Sequence, residues 1–450
     1  AAGGGDAAAG GGGGVADIVL DKAKFTREIR LHALRVEPKD TATTMKALNG
    51  SLLKIPRIRS VIDVAPAGAD ADADKTQRLV LLAQEYGPDA QGLTALPEAH
   101  RAYVEALATP VETHSLTLGY DALGADDVLS TLLPAGMDVP TSFESVGHLA
   151  HLNLRDEHLP YRYLIGQVIL DKNKRLRTVV NKVGSIHTEF RTFDMEVIAG
   201  VPDFEVTLRE SGANFTFNFK DVYWNSRLQM EHRRKVESFK KGDVVCDMFC
   251  GVGPFAVPCG MRKVRVHAND LNPRSYEYLV RNVKANGCEA FVTCYNLDAR
   301  EFARKLVSEG TAFNHVLMNL PSDSIEFLDC FVGAYPAGTP ADAMPTIHCY
   351  CFSKADTSEE RHADVVARVN AVLGVSKPAD YFKLRVVRDV APRKEMFCVR
   401  FTLPAEAAVS SGVADAAGGA VGGAGESRPR AESGAGGSPA AKRPRGDGDE

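Results

Sequence analysis

In the stretch CDMFCGVGPFAVP, residues 246–258, a carboxylate and a glycine turn follow a short apolar run that reads as a strand over 243–246. Gly251-x-Gly253-x-x-Ala256 fits the bare dinucleotide fingerprint, and an acid, Asp270, follows on the next strand. Two neighbours argue against a pyrophosphate. Asp247 precedes the turn, where its charge would repel phosphate, and Pro254 takes the first helical position with no N–H to offer. A cationic ligand without phosphate tolerates both. S-adenosylmethionine, with a sulfonium, an amino-acid end and a ribose, is such a ligand.

Later strand ends extend the set. Asp270 can accept both ribose hydroxyls, and Asp298, in NLDAREF, can accept from an adenine amino group. Taken singly, Asp270 and Asp298 read better as helix caps; together with Asp247 they read better as a nucleoside pocket at the carboxyl ends of a parallel sheet. After the fourth strand, Asn319-Leu320-Pro321 holds a side-chain amide in a proline-stiffened turn, beside the place where a donor methyl would project. Such an amide can fix a planar heterocycle through one donor and one acceptor. Phe249, Leu271, Ala299, Asn319 and Pro321, with His232, complete the expected cofactor-binding residues. No metal site is expected.

These residues need an alternating α/β scaffold. VVCDMF, VRVHAND, FVTCYNLD, HVLMNLP, TIHCYCF and MFCVRFTL read as its strands, with helices between. The expected fold class is α/β: a Rossmann-like methyltransferase domain over 227–404, preceded by α+β domains. Residues 17–135 alternate strands with helical or loop segments, around a loop or insertion, PAGADADADKTQ. Residues 140–226 read as antiparallel hairpins, one turning at Asp171-Lys172-Asn173-Lys174 and one at Glu210-Ser211-Gly212. The Gly/Ala-rich residues 1–16 and the tail 405–450 cannot pack a core and read as disordered.

The whole chain sets bounds. With 450 residues and 44% hydrophobic content it can bury two or three cores. A net charge of −5 argues against coating nucleic acid with the whole surface, and no apolar run is long enough to cross a membrane. The nine cysteines all fall between Cys246 and Cys398, odd in number and without a C-x-x-C pair. That pattern fits reduced thiols, not a disulfide framework or a zinc site, and Cys349-Tyr350-Cys351 reads as strand alternation. The first residues carry no Arg and no initiator Met, so a presequence upstream stays open.

DMFCGVGPFAVP, NDLNPRSYEYLVRNVKANG, NLDAREF, MNLPSDSIEFLD, HCYCFSK and VRDVAPRKEMFCVRF resemble successive motifs of the archaeal and eukaryotic tRNA guanine-37 N1-methyltransferases. VGHLAHLNLRDEHLPYRYLIGQVILDK, FRTFDMEVIAG and DVYWNSRLQMEHRR resemble the same family's preceding domain and its junction. The resemblance is dense over 143–403 and loose over 17–134. It implies methyl transfer to N1 of guanosine 37, 3′ to the anticodon. Chemistry then asks for two groups: a base to remove the N1 proton and a donor or cation for charge moving toward O6. The resemblance makes Glu231 the base and Arg191 the cation; Tyr223 would help fix donor and target base, Asn319 would hold the guanine, and Glu196 would support. Without it, Glu231 reads as a solvated helix residue among basic neighbours, Arg191 as a surface strand residue, and Tyr223 and Trp224 as core aromatics. Arg393 departs from the smaller polar residue often found there.

The expected partner is tRNA, bound by a monomer with no membrane contact. Residues 161–191 hold seven Lys/Arg against two acids, and 227–241 hold six against two, so both flank the site with positive charge. Residues 17–135 would be free to judge tRNA shape. Arg428, Arg430, Lys442, Arg443 and Arg445 read equally as a nuclear-import signal or a solvated cluster; cytoplasm, nucleus and mitochondrial matrix are the compartments in view. Three rivals stand beside this reading: the wybutosine-pathway transferase of the same cofactor's aminocarboxypropyl arm, a non-catalytic tRNA-binding protein, and an NAD-dependent dehydrogenase.

Overall fold

Short runs of β-branched and apolar residues, each ended by a polar or glycine turn, build one seven-stranded sheet in the C-terminal half. Its strands are β1 (Val244–Asp247), β2 (Arg265–Asn269), β3 (Val292–Tyr295), β4 (His315–Met318), β5 (Thr346–Ser353), β6 (Lys383–Ala391) and β7 (Lys394–Thr402). They lie in the order β3-β2-β1-β4-β5-β7-β6. The first five are parallel; β7 runs antiparallel to β5, and β6 antiparallel to β7. The order reverses between β1 and β4, so a crevice opens there at the carboxyl ends. The structure, a computed structural model, describes residues 20–64, 77–107, 109–140, 142–184, 190–391 and 394–409.

Five helices cover this sheet: α1 (Gln229–Ser238), α2 (Ala256–Met261), α3 (Pro273–Ala285), α4 (Ala299–Ser308) and α5 (Ser358–Leu373). Alternation along β1 divides the core. Val245 joins Phe255, Leu279 and Val283 on one face, while Cys246 joins Phe302, Leu306, Val365 and Val369 on the other. The α/β class and the six expected strands are present; β6 makes a seventh.

Several boundaries differ from expectation. YRYLIGQVILDK, read as the first arm of a hairpin, is a helix over Arg162–Lys172. Leu164, Ile165, Val168 and Ile169 bury one face at helical spacing, and the polar DKNK turn ends the helix instead of joining two strands. The next strand, Thr178–Val183, is central in a four-stranded sheet with Glu144–Val146, Leu149–Leu152 and Asp194–Gly200. The second expected hairpin, Glu205–Glu210 with Ala213–Asn218, does form. Its Phe215 and Phe217 share a core with Val245, Val252 and Phe255, so packing does not break at residue 226.

Packing does not break at 135 either. Val128 and Leu129, on the helix Ala125–Leu132, pack with Ile165 and Val168, whereas the first sheet's own cores stop near Ala122. That first sheet is antiparallel and spans Arg27–Leu118. The tail does not begin at 405: Ala405–Ala408 form one helical turn with Ala407 and Ala408 buried beside Phe331 and Leu403. The rest of both expected tails, most of the 66–77 insertion, Arg393 and the basic cluster from Arg428 lie outside the described residues. Among the described residues all nine cysteines are free thiols, no helix is long and apolar enough to cross a membrane, and no group of His, Cys, Asp or Glu could hold a metal.

Candidate active site

Asp247 ends β1 at the switch point and is fully buried. Neither carboxylate oxygen has a hydrogen-bond partner. Burial drives its carboxyl well above the usual range; the Phe249 amide, near the carboxylate but outside hydrogen-bond geometry, opposes this, and the charge of Asp270 adds to it. At the end of neighbouring β4, the Asn319 side-chain oxygen is likewise buried and unpartnered. Of five such orphaned atoms among the described residues, three belong to these two side chains. Orphaned buried acceptors are costly unless something supplies donors, so this crevice fits a ligand that is cationic and carries N–H or O–H groups.

The glycine turn wraps this acid. Gly251 and Gly253 both have positive φ (55° and 97°), and the Gly251 amide donates to Asp270 Oδ2 at 2.8 Å. A Cβ on Gly253 would lie 2.8 Å from Val257 and 2.9 Å from Leu279, so α3 and the turn touch through glycine. α2 opens at Ala256, not at Pro254, although the Val257 amide already reaches the Gly253 carbonyl at 2.9 Å across the proline. Six residues of helix behind a proline present little to a phosphate.

Asp270 follows β2, accepting from Gly251 and, through Oδ1, from the Asn272 amide at 3.0 Å. Burial raises its carboxyl to about 6 against these amides. Asn272, not Asp270, caps α3. Asp298 does cap α4: its Oδ1 accepts from Arg300 and Glu301, leaving Oδ2 outside the cap. Phe249 packs edge-on against Phe327, Leu271 is exposed, and Ala299 is buried in the first turn of α4.

Asn319-Leu320-Pro321 is clamped from behind. The Leu320 amide donates to Ser324 Oγ at 2.9 Å, Ser324 Oγ donates to the Met318 carbonyl, and the Phe352 amide donates to the Pro321 carbonyl. Arg191 reaches this loop from the preceding domain. It pairs with Asp323 at 2.6 Å and contacts Ser322, from a backbone at φ 56° that a β-carbon disfavours. It sits just before the strand Asp194–Gly200, not on it. Glu196 instead accepts from Arg162 and Tyr163, tying that strand to its helix.

Glu231 is only 7% exposed on the inner face of α1. Arg234 donates to both its oxygens at 2.7 and 2.8 Å, Tyr350 donates to Oε1 at 2.6 Å, and Arg385 donates to Oε2. Burial alone would raise the carboxyl, but these donors and the Arg385 charge outweigh it and hold it below the ordinary range. Glu231 and Arg191 are thus anchored on separate elements, without direct contact. Tyr223 is 44% exposed, bonded through its hydroxyl to Asn225, whereas Trp224 packs on Phe215 and Phe217. His232 is buried against Glu210 at 2.6 Å and edge-on to Phe255.

Sequence reasoning left Asn269, Arg234, Tyr350 and Arg385 without roles. Asn269, fully buried, joins three loops: its amide nitrogen donates to the Met248 and Leu297 carbonyls, and its oxygen accepts from the Leu297 amide. Its signal was a buried-type Asn directly before Asp270. Tyr350 and Arg385 meet only through register: Tyr350 pairs with Cys398, and Cys398 with Arg385, across β5, β7 and β6. The basic stretches are less free than their charge suggests. Arg227 pairs with Glu144, Arg233 with Glu237, Arg162 with Glu196 and Arg177 with Asp203. Lys235 is buried on His348.

Residues 206–370 match the model of the TRM5/TYW2 methyltransferase domain, and residues 125–203 that of the TYW2 N-terminal domain. A tRNA (guanine(37)-N(1))-methyltransferase of Phytophthora infestans is 47% identical over 393 residues, 87% of this chain and 94% of that protein. The protein of that name from Homo sapiens is 37% identical, over 86% of this chain and 76% of its own. Among solved structures, Trm5b from Pyrococcus abyssi covers 82% of this chain and 98% of its own, with a TM-score of 0.56 at 23% identity, a likeness of fold.

Proposed function

The chain belongs to the tRNA (guanine(37)-N(1))-methyltransferase family, and from that premise we propose which of its residues perform the transfer. The enzyme moves a methyl group from S-adenosylmethionine to N1 of guanosine 37 in tRNA. The observation that carries the assignment is the set of orphaned acceptors, Asp247 and Asn319, at the ends of adjacent parallel strands.

S-adenosylmethionine, when bound, supplies a methyl group made electrophilic by its sulfonium. Asp247 would meet the positive end of that ligand, Asp270 its ribose hydroxyls and Asp298 Oδ2 its adenine amine. The Gly251–Gly253 turn would leave room for its main body, with Phe249, Leu271, Ala299 and Pro321 around it. His232, locked on Glu210, would act by holding Phe255 and the turn behind it. Asn319 would turn its free oxygen to the guanine N2 hydrogens, and Tyr223 offers an exposed ring to stack. Reaching N1 requires turning the nucleotide out of the anticodon loop.

Glu231 would then accept the N1 proton while the N1 lone pair forms the new bond to carbon; the carbon–sulfur electron pair leaves with sulfur. Arg191 would meet the charge gathering at O6. General bases typically contribute about 10²–10⁴-fold. The test is methyl transfer to unmodified tRNA bearing guanosine, inosine or adenosine at position 37, with wild type and Glu231→Gln. The substitution should lower the single-turnover rate by roughly 10²-fold or more with donor binding kept; full activity would remove Glu231 from the reaction. We read the active form as a monomer: Arg191 already reaches Asp323, beside Asn319, from beside the preceding sheet of the same chain.

A further inference from the structure

As the carboxylate stands, Glu231 is a poor base. Its four hydrogen bonds come from two cations and a phenol, and each favours the ionised form. It is also covered: 7% exposed, while the guanidinium-bearing side chains above it are 42% (Arg234) and 39% (Arg385) exposed. A guanine can reach Glu231 only if one of these covers moves.

The covers are not equivalent. Arg234 sits three residues on in the same helix and grips both oxygens, a local pair that travels with Glu231. Tyr350 is fully buried and bonds Oε1 from the middle of the sheet. Arg385 lies on β6, the outermost strand, where the register slips between Val386 and Arg388 and again between Asp389 and Ala391. It bonds only Oε2 of the carboxylate, and otherwise donates to the neighbouring Val386 carbonyl. Leaving Arg385 aside, the same two strands hold Lys383, Arg388, Lys394 and Arg400 against Asp389 and Glu395, and so stay net positive. An arginine on an irregular edge strand, over a cleft meant for a polyanion, is the one that can leave.

Resting on the assignment of Glu231 as the base, we propose that Arg385 caps Oε2 in the RNA-free enzyme and moves to a tRNA phosphate when substrate docks, uncovering that oxygen for the N1 proton. Arg385 is thus a positioning residue that couples RNA docking to the arming of the base. A guanidinium exchanges a carboxylate for a phosphate with little loss, because both accept its planar fork. The other ionisable groups around Glu231 stay in place: Arg234 and Lys235 on α1, Tyr350 on β5 and Cys398 on β7. Once Arg385 departs, burial acts against one fewer cation and the carboxyl rises, which makes a stronger base.

Single-turnover methyl transfer at saturating donor tests this, read against pH for Arg385→Gln and Arg385→Lys. The second-order rate at limiting tRNA reports the free enzyme; the rate at saturating tRNA reports the complex. Arg385→Gln should move the acid limb of the second-order rate to higher pH and leave that of the saturated rate where it is. It should also lower the salt slope of tRNA binding by about one, a loss that Arg385→Lys restores. Two results would overturn the proposal: both acid limbs moving together, meaning Arg385 stays on Glu231 in the complex, or an unchanged salt slope. Should Arg385→Gln not fold, the neutral Arg385→Met decides by the same two readouts: an unshifted second-order limb or an unchanged salt slope rejects the cap. Full activity of Glu231→Gln would sink the underlying assignment, while a slow Glu231→Gln with unmoved limbs sinks the cap alone.

Discussion

Two carboxylates proposed to hold the methyl donor have their acidity moved in the same direction by burial. Asp247 is driven far up and Asp270 to about 6. The sign follows directly. Protonation increases as pH falls, and a protonated acid neither attracts a sulfonium nor accepts two hydroxyl donors. Donor affinity, measured by calorimetry, should therefore weaken as pH falls through about 6. In the ligand-free protein the same shift runs the other way: a folded value above the unfolded 3.8 favours folding in acid, and that contribution is lost as pH rises through about 6. Asp247→Asn should cost roughly tenfold or more in donor affinity, since hydrogen bonds to charged groups contribute about 1.5–3 kcal/mol. It should leave the melting temperature of the ligand-free protein unchanged or higher, because a buried unpaired acid is gone. A donor affinity equal to wild type would refute the role of Asp247.

At the scale of elements, the site depends on how three loops are held at the carboxyl ends of β1, β2 and β3. Asn269 ties all three, and Gly253 lets α3 approach the first. Gly253→Ala places a methyl 2.8 Å from Val257 on a backbone at φ 97°, so it should destabilise by about 1–3 kcal/mol, read by urea denaturation. Donor binding should fall with it. Pattern reading succeeded for β1 to β5 because each is short, apolar and closed by a turn signal. It failed for Arg162–Lys172, where an apolar run before a polar turn suits strand or helix and only burial on one face decides. It read Glu231 on a solvated helix and so missed the buried face of α1. That face carries Glu231, His232 and Lys235 beside Val236, so hydrophobic periodicity points nowhere, and only the resemblance singled out Glu231.

For the whole molecule, the proposed reaction needs groups from two layers. Arg191 precedes the last strand of the four-stranded sheet yet is bonded to Ser322 and Asp323 beside Asn319, so the preceding domain closes one wall of the cleft. Arg191→Ala should lower the single-turnover rate by about 10²–10³-fold, the usual loss for a positioned charge-stabilising donor, at little cost in donor affinity. An unchanged rate would confine Arg191 to holding the two layers together. The basic stretches that looked like an RNA track are partly spent on internal pairs, leaving exposed Lys174, Arg175, Lys240 and Lys241 as their freer charges.

From residue types and order alone came the α/β sheet, the preference for a phosphate-free cationic nucleoside, and the acids at 247, 270 and 298. These are local: a strand, its turn and its first polar residue are neighbours in the chain, and their chemistry follows from adjacency. What only the tertiary structure decided is long-range. Cross-strand register sets Tyr350, Cys398 and Arg385 in one row beside Glu231, and domain packing carries Arg191 to Asp323. No pattern in one strand encodes which residue of another will lie opposite, so the environment that surrounds Glu231 exists only once the sheet has formed.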